Sequence, residues 1–449
     1  MNFDFLKYCL GEKDNMSNVV ANIDWQQLYS FASKQAILGL CFDGIERLGK
    51  EYPEELKQNP IEKKMLMTWM AKTQQIRRQN MNVNGVAAKL YSKFREDGLR
   101  CCILKGQGNA LMYSNPYSRT PGDIDVWVNA SREDITEYAK THFKLEDDIR
   151  FHHLETTMDG VPVELHFFPC SMNNLLYHAR LQKWFKRNAD LQCSNVVSLP
   201  DDIGEIAIPT TAFNVIYQLT HLYHHFFDEG IGMRQIIDYY YVVCDFYKVY
   251  QNSSKITSSL FTIKEGSTSH PDPLTLRGEG GNRPTRCSEP LRSTDGGPSK
   301  VSPDCAGWDR LDGSGDMASD ASACSASTTD STASTALVVV QRELKYLGLW
   351  KFAGAVMYVL HEALGLSEEK MIVPMDEKRG KLLLEEILNG GNFGQHFTKY
   401  GNFTQQGMVK KYFLKIWRNM HFVRYYPAEA LSEPIFRTWH FFWRQANKR

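Results

Sequence analysis

No stretch of the 449 residues runs for the roughly 18 uninterrupted apolar positions that a membrane-spanning helix needs. The opening MNFDFLKYCL places Asp4 and Lys7 inside what would have to be the apolar region of a secretory leader. Charge of one sign is equally lacking. The 52 Lys+Arg balance 52 Asp+Glu and the pI is near 7.2, so this is not a generally basic chain built to coat nucleic acid, and any cationic patch has to be local. The ten cysteines include no C-x-x-C pair, and Cys101 and Cys102, adjacent in an apolar run, suit neither a zinc site nor a secreted disulfide frame. A phosphate loop of the form G-x-x-x-x-G-K-[ST] is absent, as is any internal repeat. Together these absences predict a soluble, cytoplasmic protein with reduced, mostly buried thiols. What is present is an ordinary globular composition, 43% hydrophobic and 23% charged, in a chain long enough for two or three domains with real cores.

One segment breaks that texture. Between about residues 251 and 336 about half the positions are Ser, Thr, Gly or Pro, as in GEGGNRPTRCSEP and ASACSASTTDSTASTA. Such a stretch buries too little apolar surface to offset its conformational entropy, which predicts a disordered insertion in a loop between two helices of one domain. A partner-binding or regulatory linker is the functional alternative. Dense aromatic sequence flanks it on both sides, IIDYYYVVCDFYKVY before and LVVVQRELKYLGLWKF after.

Residues 1–98 read as helical. Trp25, Leu28, Phe31, Ile37 and Leu40 recur on one face, and about 61–95 form a proline-free run of helix formers ending near Gly98. The short apolar RCCILKG suits a buried strand, followed by a tight turn, a short helix and a loop with Pro116 and Pro121. DIDVWV has period 2, so Ile124, Val126 and Val128 share one face while Asp123, Asp125 and Trp127 share the other. Ser131 with Asp134 marks a helix start. A hairpin is expected over FHHLETTM-DG-VPVELHFF, turning at Asp159-Gly160. In its second strand Glu164, His166 and Phe168 lie opposite Val161, Val163, Leu165 and Phe167. Residues 169–250 and 337–449 read as helical again. The boundaries are therefore an N-terminal helical region 1–98, an α/β core 99–168, a helical region 169–250, the insertion 251–336 and a C-terminal helical region 337–449.

Two aspartates at i, i+2 on one strand, with a third carboxylate on a neighbouring strand, can hold one or two hard divalent cations such as Mg²⁺. Such ions lower the pKa of an attacking hydroxyl and stabilise a leaving pyrophosphate. A glycine turn upstream would aim backbone N–H groups at phosphate oxygens, with Lys105 and Arg119 adding positive charge. D-x-D alone equally describes a solvated strand edge. The combination of LKGQGNALMY, RTPGDIDVWV and VPVELHFF, over about 104–168, resembles the polymerase-β-type nucleotidyltransferase superfamily, and most closely the uncharacterised bacterial nucleotidyltransferases with LKG, R-x-x-GDIDhhV and h-E-L-H motifs. HLYHHFFDEGIGMRQIIDYY is similar to that family's helical region.

The resemblance implies an α+β fold in which a small polymerase-β-like sheet unit is enclosed by N-terminal and C-terminal helical regions. It implies metal-dependent transfer of a nucleoside monophosphate from an NTP to a hydroxyl acceptor, with release of pyrophosphate and with Mg²⁺ or Mn²⁺ as cofactor. Carried over by position, Asp123 and Asp125 are the metal carboxylates and Glu164 the third, which orients or deprotonates the acceptor. Gly106 and Gly108 correspond to the phosphate turn, so that Lys105, Gly106, Gly108, Asn109 and Arg119 form the nucleotide-binding set. The superfamily usually has Gly-Ser at that turn. Here the pairs are Gly106-Gln107 or Gly108-Asn109, the latter better spaced from Asp123, and the absent serine sustains the alternative of a binding protein without turnover.

Other histidines invite their own readings. His221, His224 and His225, at i, i+3, i+4, suit either a transition metal or polar packing along a substrate wall. His166 projects beside Glu164 and is a candidate for the substrate side, with His152 and His153 in the same hairpin. Arg234 and Asp238 read as a helix-surface pair. From 408 onward nine Lys/Arg face two acids among many aromatics, a pattern open to single-stranded nucleic acid, to an anionic membrane surface or to a packed helical subdomain, the last favoured by helical spacing.

Overall fold

The computed structural model describes residues 3–145, 150–251, 326–397 and 407–446. Most of the segment read as an insertion, 252–325, lies outside the described residues.

Six helices open the chain: α1 (Asp4–Cys9), α2 (Ser17–Val20), α3 (Trp25–Lys34), α4 (Leu38–Glu51), α5 (Pro53–Gln58) and α6 (Lys63–Glu96). Asp24 caps α3 by accepting from the Gln27 amide at 2.9 Å. The sheet unit follows with β1 (Cys101–Leu104), α7 (Gly106–Ala110), β2 (Ile124–Val128), α8 (Arg132–His142), β3 (His153–Met158) and β4 (Val161–His166). Strand order is β1-β2-β4-β3, with β2 and β4 parallel and the outer pairs antiparallel. Asp159 and Gly160 both have positive φ, as a two-residue hairpin turn requires, and they close the Met158–Val161 pair.

Next come α9 (Leu175–Gln192), β5 (Val196–Ser198), β6 (Glu205–Ala207), α10 (Thr211–Asp228) and α11 (Met233–Gln251). The region 169–250 is thus not wholly helical. The antiparallel β5–β6 ribbon interrupts it, and at three residues a strand it is too short to display a period. The chain resumes with α12 (Ala326–Tyr346), α13 (Trp350–Leu364), α14 (Glu377–Gly390), α15 (Met408–Met420) and α16 (Pro427–Ala446). Helix α12 begins inside the segment whose composition reads as insertion. Extending an existing helix adds one hydrogen bond per residue fixed, so the apolar LVVV end propagates backwards into Ala-containing sequence.

The sheet separates two cores. On one face Ile103, Ile124, Val126, Val163 and Leu165 pack with Val83 and Phe94 of α6 and Ile135 of α8. On the other, Cys102, Leu104 and Trp127 join the large helical core, where Trp127 stacks on Phe213 of α10 at 5.9 Å. The C-terminal helices are packed on α10: Arg418 and Asn419 donate to the Phe226 and Phe227 carbonyls, both at 2.9 Å. Lys415 and Arg437 converge on Asp228 at 3.1 and 2.7 Å, and Arg418 pairs with Glu386. Three of the cations that pointed toward nucleic acid therefore hold the fold together. Among the described residues no helix is long and apolar enough to cross a membrane.

Candidate active site

Parallel strands in register present equivalent residues to the same side of the sheet. Asp125 pairs with Glu164 across β2 and β4, and both face the helical body. Asp125 is buried, and its Oδ1 accepts from Lys105 Nζ at 2.9 Å and His166 Nε2 at 3.0 Å. His166 Nε2 also donates to Glu164 Oε2 at 3.1 Å, so one imidazole ties two carboxylates together. Lys105 follows β1 with a positive φ of 52°, and Gly106 comes next at φ 31°, which lets the chain turn sharply into α7. A non-glycine residue in such a conformation costs on the order of 1–3 kcal/mol and persists where the surroundings fix it. Here the fixing contacts are Asp125 and His221 Nε2, the latter 2.8 Å from the ammonium. Asp123 precedes β2 and is exposed at the rim.

The charges are mutually dependent. Burial pushes the Lys105 ammonium down, but Asp125, Asp123 and Glu164 outweigh it and raise its pKa. Burial pushes Asp125 up, and Lys105 and His166 more than reverse that, holding it well below the usual carboxylate range. Asp123 is raised to about 6, first by the Asp125 charge, then by the crowding of protein around its carboxylate at the rim and by Glu164. His166, despite burial, is raised to about 9 by its bonds to the two carboxylates. Glu164 is lowered because the His166 hydrogen bond and nearby imidazoles outweigh its burial and the Asp125 charge.

In front of these groups lies a cleft bounded by Lys105, Gly106, Asp123 and Asp125 on the sheet side, by Gln218 and His221 of α10, and by Arg234 of α11 and Phe393. Arg234 Nη1 donates to the Thr120 carbonyl at 3.1 Å, while its Nε is buried with no hydrogen-bond partner. Its guanidinium also lies 5.4 Å from the Phe393 ring centroid.

A family model described as an uncharacterised nucleotidyltransferase matches residues 21–251, just over half the chain and every sheet-side, α10 and α11 residue just described. The chain belongs to this nucleotidyltransferase family. No curated protein matches it. Among solved structures it is similar to an antigenic nucleotidyltransferase-like protein from Paracoccidioides brasiliensis, at 16% identity and TM-score 0.25, covering 36% of this chain and 75% of that one.

Within this family member the residues expected from sequence divide. Lys105, Gly106, Asp123, Asp125 and Glu164 come together around the mouth of the sheet. Gly108 and Asn109 do not face the cleft: a Cβ at Gly108 would meet Ile208 at 3.0 Å, and Asn109 is buried with its amide exchanged with Gln218. Gln107 is likewise turned inward onto Asn84. After Gly106 the chain enters a single helical turn whose side chains fill the interior. Arg119 borders the cleft, but its guanidinium is committed to Asp238 through Nε–Oδ1 at 2.8 Å and Nη2–Oδ2 at 2.7 Å. Asp238 is therefore no surface partner of Arg234, and both residues are buried. His166 is not on a substrate wall, being 3% exposed between the carboxylates. Ligand atoms of Asp125, Glu164 and His166 lie within 4.8 Å of one another, a set that does not include Asp123. Among the described residues His221, His224 and His225 form no metal-capable group. Arg234 is the residue that reading by spacing missed. The available signal was α11 itself, whose flanking IIDYYYVVCDF is apolar nearly all round, so that a charge on it is buried.

Proposed function

We propose that the chain is a metal-dependent nucleotidyltransferase with a polymerase-β-like catalytic unit, moving a nucleoside monophosphate from an NTP to a hydroxyl acceptor with release of pyrophosphate. The observation that carries this reading is the in-register apposition of Asp125 and Glu164 beside a cleft that Asp125 lines together with Lys105 and Arg234. The donor set suits Mg²⁺ or Mn²⁺: the mutual repulsion that raises Asp123 to about 6 is what a hard divalent cation relieves. When bound, that cation supplies activation of the attacking hydroxyl and charge stabilisation of the departing pyrophosphate. Asp123 and Asp125 would hold it, with Glu164 beside them. Glu164, kept ionised by His166, accepts a hydrogen bond from the acceptor hydroxyl and orients it. Lys105 and the unpartnered Nε of Arg234 offer positive charge to phosphate oxygens. His166 holds Asp125 and Glu164 in place.

The inward-turned Gln107 and Asn109 favour a second reading, a nucleotide-binding protein without turnover, because the turn then offers the triphosphate backbone groups alone. The two are separated by incubating the protein with each of the four NTPs labelled at the α-phosphate, with Mg²⁺ or Mn²⁺, and following label transfer to the protein or to cell-extract fractions. Asp125→Asn is expected to lower transfer at least about a hundredfold while the fold persists, since one ligand to the transition-state charge is lost. Near-wild-type turnover in that variant would sink the metal assignment.

A further inference from the structure

Behind the carboxylates His166 belongs to a cluster of three histidines, and the transfer reading leaves the other two without a task. His152, His153 and His166 each offer one ring nitrogen, and the three nitrogens lie within 4.8 Å of one another. The rings are close, with centroids 4.3 Å apart for His152–His153, 5.1 Å for His153–His166 and 5.5 Å for His152–His166. Strand pairing explains the convergence, because His153 of β3 is directly opposite His166 of β4.

The hydrogen bonding is lopsided. His166 Nε2 is held by Asp125 and Glu164, and His153 Nε2 by Glu155 Oε1 at 3.2 Å. The Nδ1 atoms of both residues are buried without any hydrogen-bond partner, although the residues are only 3% and 6% exposed. His153 Nδ1 lies 3.1 Å from Glu164 Oε2 without hydrogen-bond geometry. A buried imidazole nitrogen left unpaired is costly. An imidazole with one nitrogen bonded to a carboxylate and the other free is the arrangement found behind metal ions, where the carboxylate fixes ring orientation and raises ligand basicity.

We propose that His152, His153 and His166 form a site for a borderline divalent transition ion of the Zn²⁺ class, distinct from the carboxylate site for hard cations. Nitrogen donors select such ions over Mg²⁺. Each histidine gives one ring nitrogen as ligand, the unpaired Nδ1 atoms of His153 and His166 being the ones left open, and Glu155, Asp125 and Glu164 are the carboxylates that orient the rings. An ion there fixes the His166 ring and, through its Nε2–H, the spacing of Asp125 and Glu164. The site does not depend on the transfer reading, and it would stand if no nucleotide were ever transferred.

The test uses the full chain, stripped with chelator and titrated with Co²⁺ alone, reading visible d–d absorption and bound metal per chain. With excess Mg²⁺ present to occupy the carboxylate site, one Co²⁺ per chain with the intense bands of low coordination is expected. His153→Ala and His152→Gln should each weaken binding at least tenfold, and Glu155→Gln, which leaves all three imidazoles in place, by about tenfold. Asp123→Asn should leave the spectrum and affinity unchanged. His152→Gln, at a partly exposed position, guards against loss of fold in His153→Ala, with the melting temperature of each metal-free variant as the control. Absence of stoichiometric Co²⁺ binding to the wild type would overturn the site. So would Co²⁺ binding that survives both histidine variants, or that Asp123→Asn abolishes.

Discussion

Arg119 and Arg234 border the same cleft with the same guanidinium, yet their surroundings give them different work. Arg119 is locked bidentately onto Asp238, whose Oδ1 also accepts from Tyr113 Oη at 2.7 Å. Removing one member of such a buried pair strands the other charge, at about 3–5 kcal/mol. Arg119→Met is therefore expected to lower unfolding stability by about that much in a denaturant titration. Arg234 retains an unpartnered Nε beside the cleft, and a hydrogen bond to a charged group contributes about 1.5–3 kcal/mol. Arg234→Gln should weaken NTP binding by roughly 10- to 100-fold, measured by fluorescence titration, with a smaller stability loss than Arg119→Met. Unchanged NTP affinity in Arg234→Gln would refute its assignment to phosphate. The exchange of partners explains why the sequence reading joined Arg234 to Asp238. Spacing within one helix is local information, whereas the true partner of Asp238 comes from a loop 119 positions earlier.

Whole elements hold the site by close backbone approach. Gly39 of α4 lies against the Ser118 carbonyl, where an added Cβ would overlap backbone. Ser118 Oγ donates to Asp43 Oδ1 at 2.8 Å and Arg77 reaches the same oxygen at 2.7 Å, so α4 and α6 together clamp the loop that carries Arg119. Gly39→Ala should destabilise by about 1–3 kcal/mol, as overpacking does, visible as a lower melting temperature. At the far end, Glu429 of α16 accepts from the Asn173 amide at 2.6 Å and the Asn174 amide at 3.3 Å, and burial raises its pKa to about 7. A carboxyl raised from 4.5 to about 7 binds its proton more tightly when folded, so its contribution is full below about pH 4.5 and is lost as pH rises through 7. That loss is roughly 3 kcal/mol. Glu429→Gln should flatten the fall in melting temperature between pH 5 and 8, and an unaltered pH profile would show that Glu429 is not buried in this way. The sheet elements were legible because alternation in DIDVWV and VPVELHFF is strict and the Asp159-Gly160 turn is local. The β5–β6 ribbon and the inward turn of Gly108 and Asn109 were not, since the first is too short for a period and the second depends on Ile208 and Gln218, about a hundred residues away.

Across the whole molecule the sheet unit with its loops, including the one that carries Arg119, and α11 supply the carboxylates and cations of the cleft, and all lie within the family span 21–251. The later helices bring Phe393 to its edge and complete the core around α10, where Phe226 meets Phe422 at 4.6 Å and Phe352 at 5.7 Å. Helices α11 and α12 flank residues 252–325 in sequence and pack against each other. Two packed helices are commonly joined by only a few residues. The intervening sequence, poor in large apolar residues, has little surface to contribute to either core, and shortening a long connection lowers the entropy lost on closing it. Replacing 252–325 by a short Gly/Ser linker should therefore leave the melting temperature unchanged or slightly higher, and NTP affinity unchanged. Deleting 326–449 instead should prevent cooperative folding, because α10 would expose Phe226, Phe227 and Tyr223, all buried in the intact chain. Loss of cooperative unfolding in the linker variant would show that the replaced residues carry part of the core, and a soluble, cooperatively unfolding 1–325 fragment would show that the chain folds without the later helices.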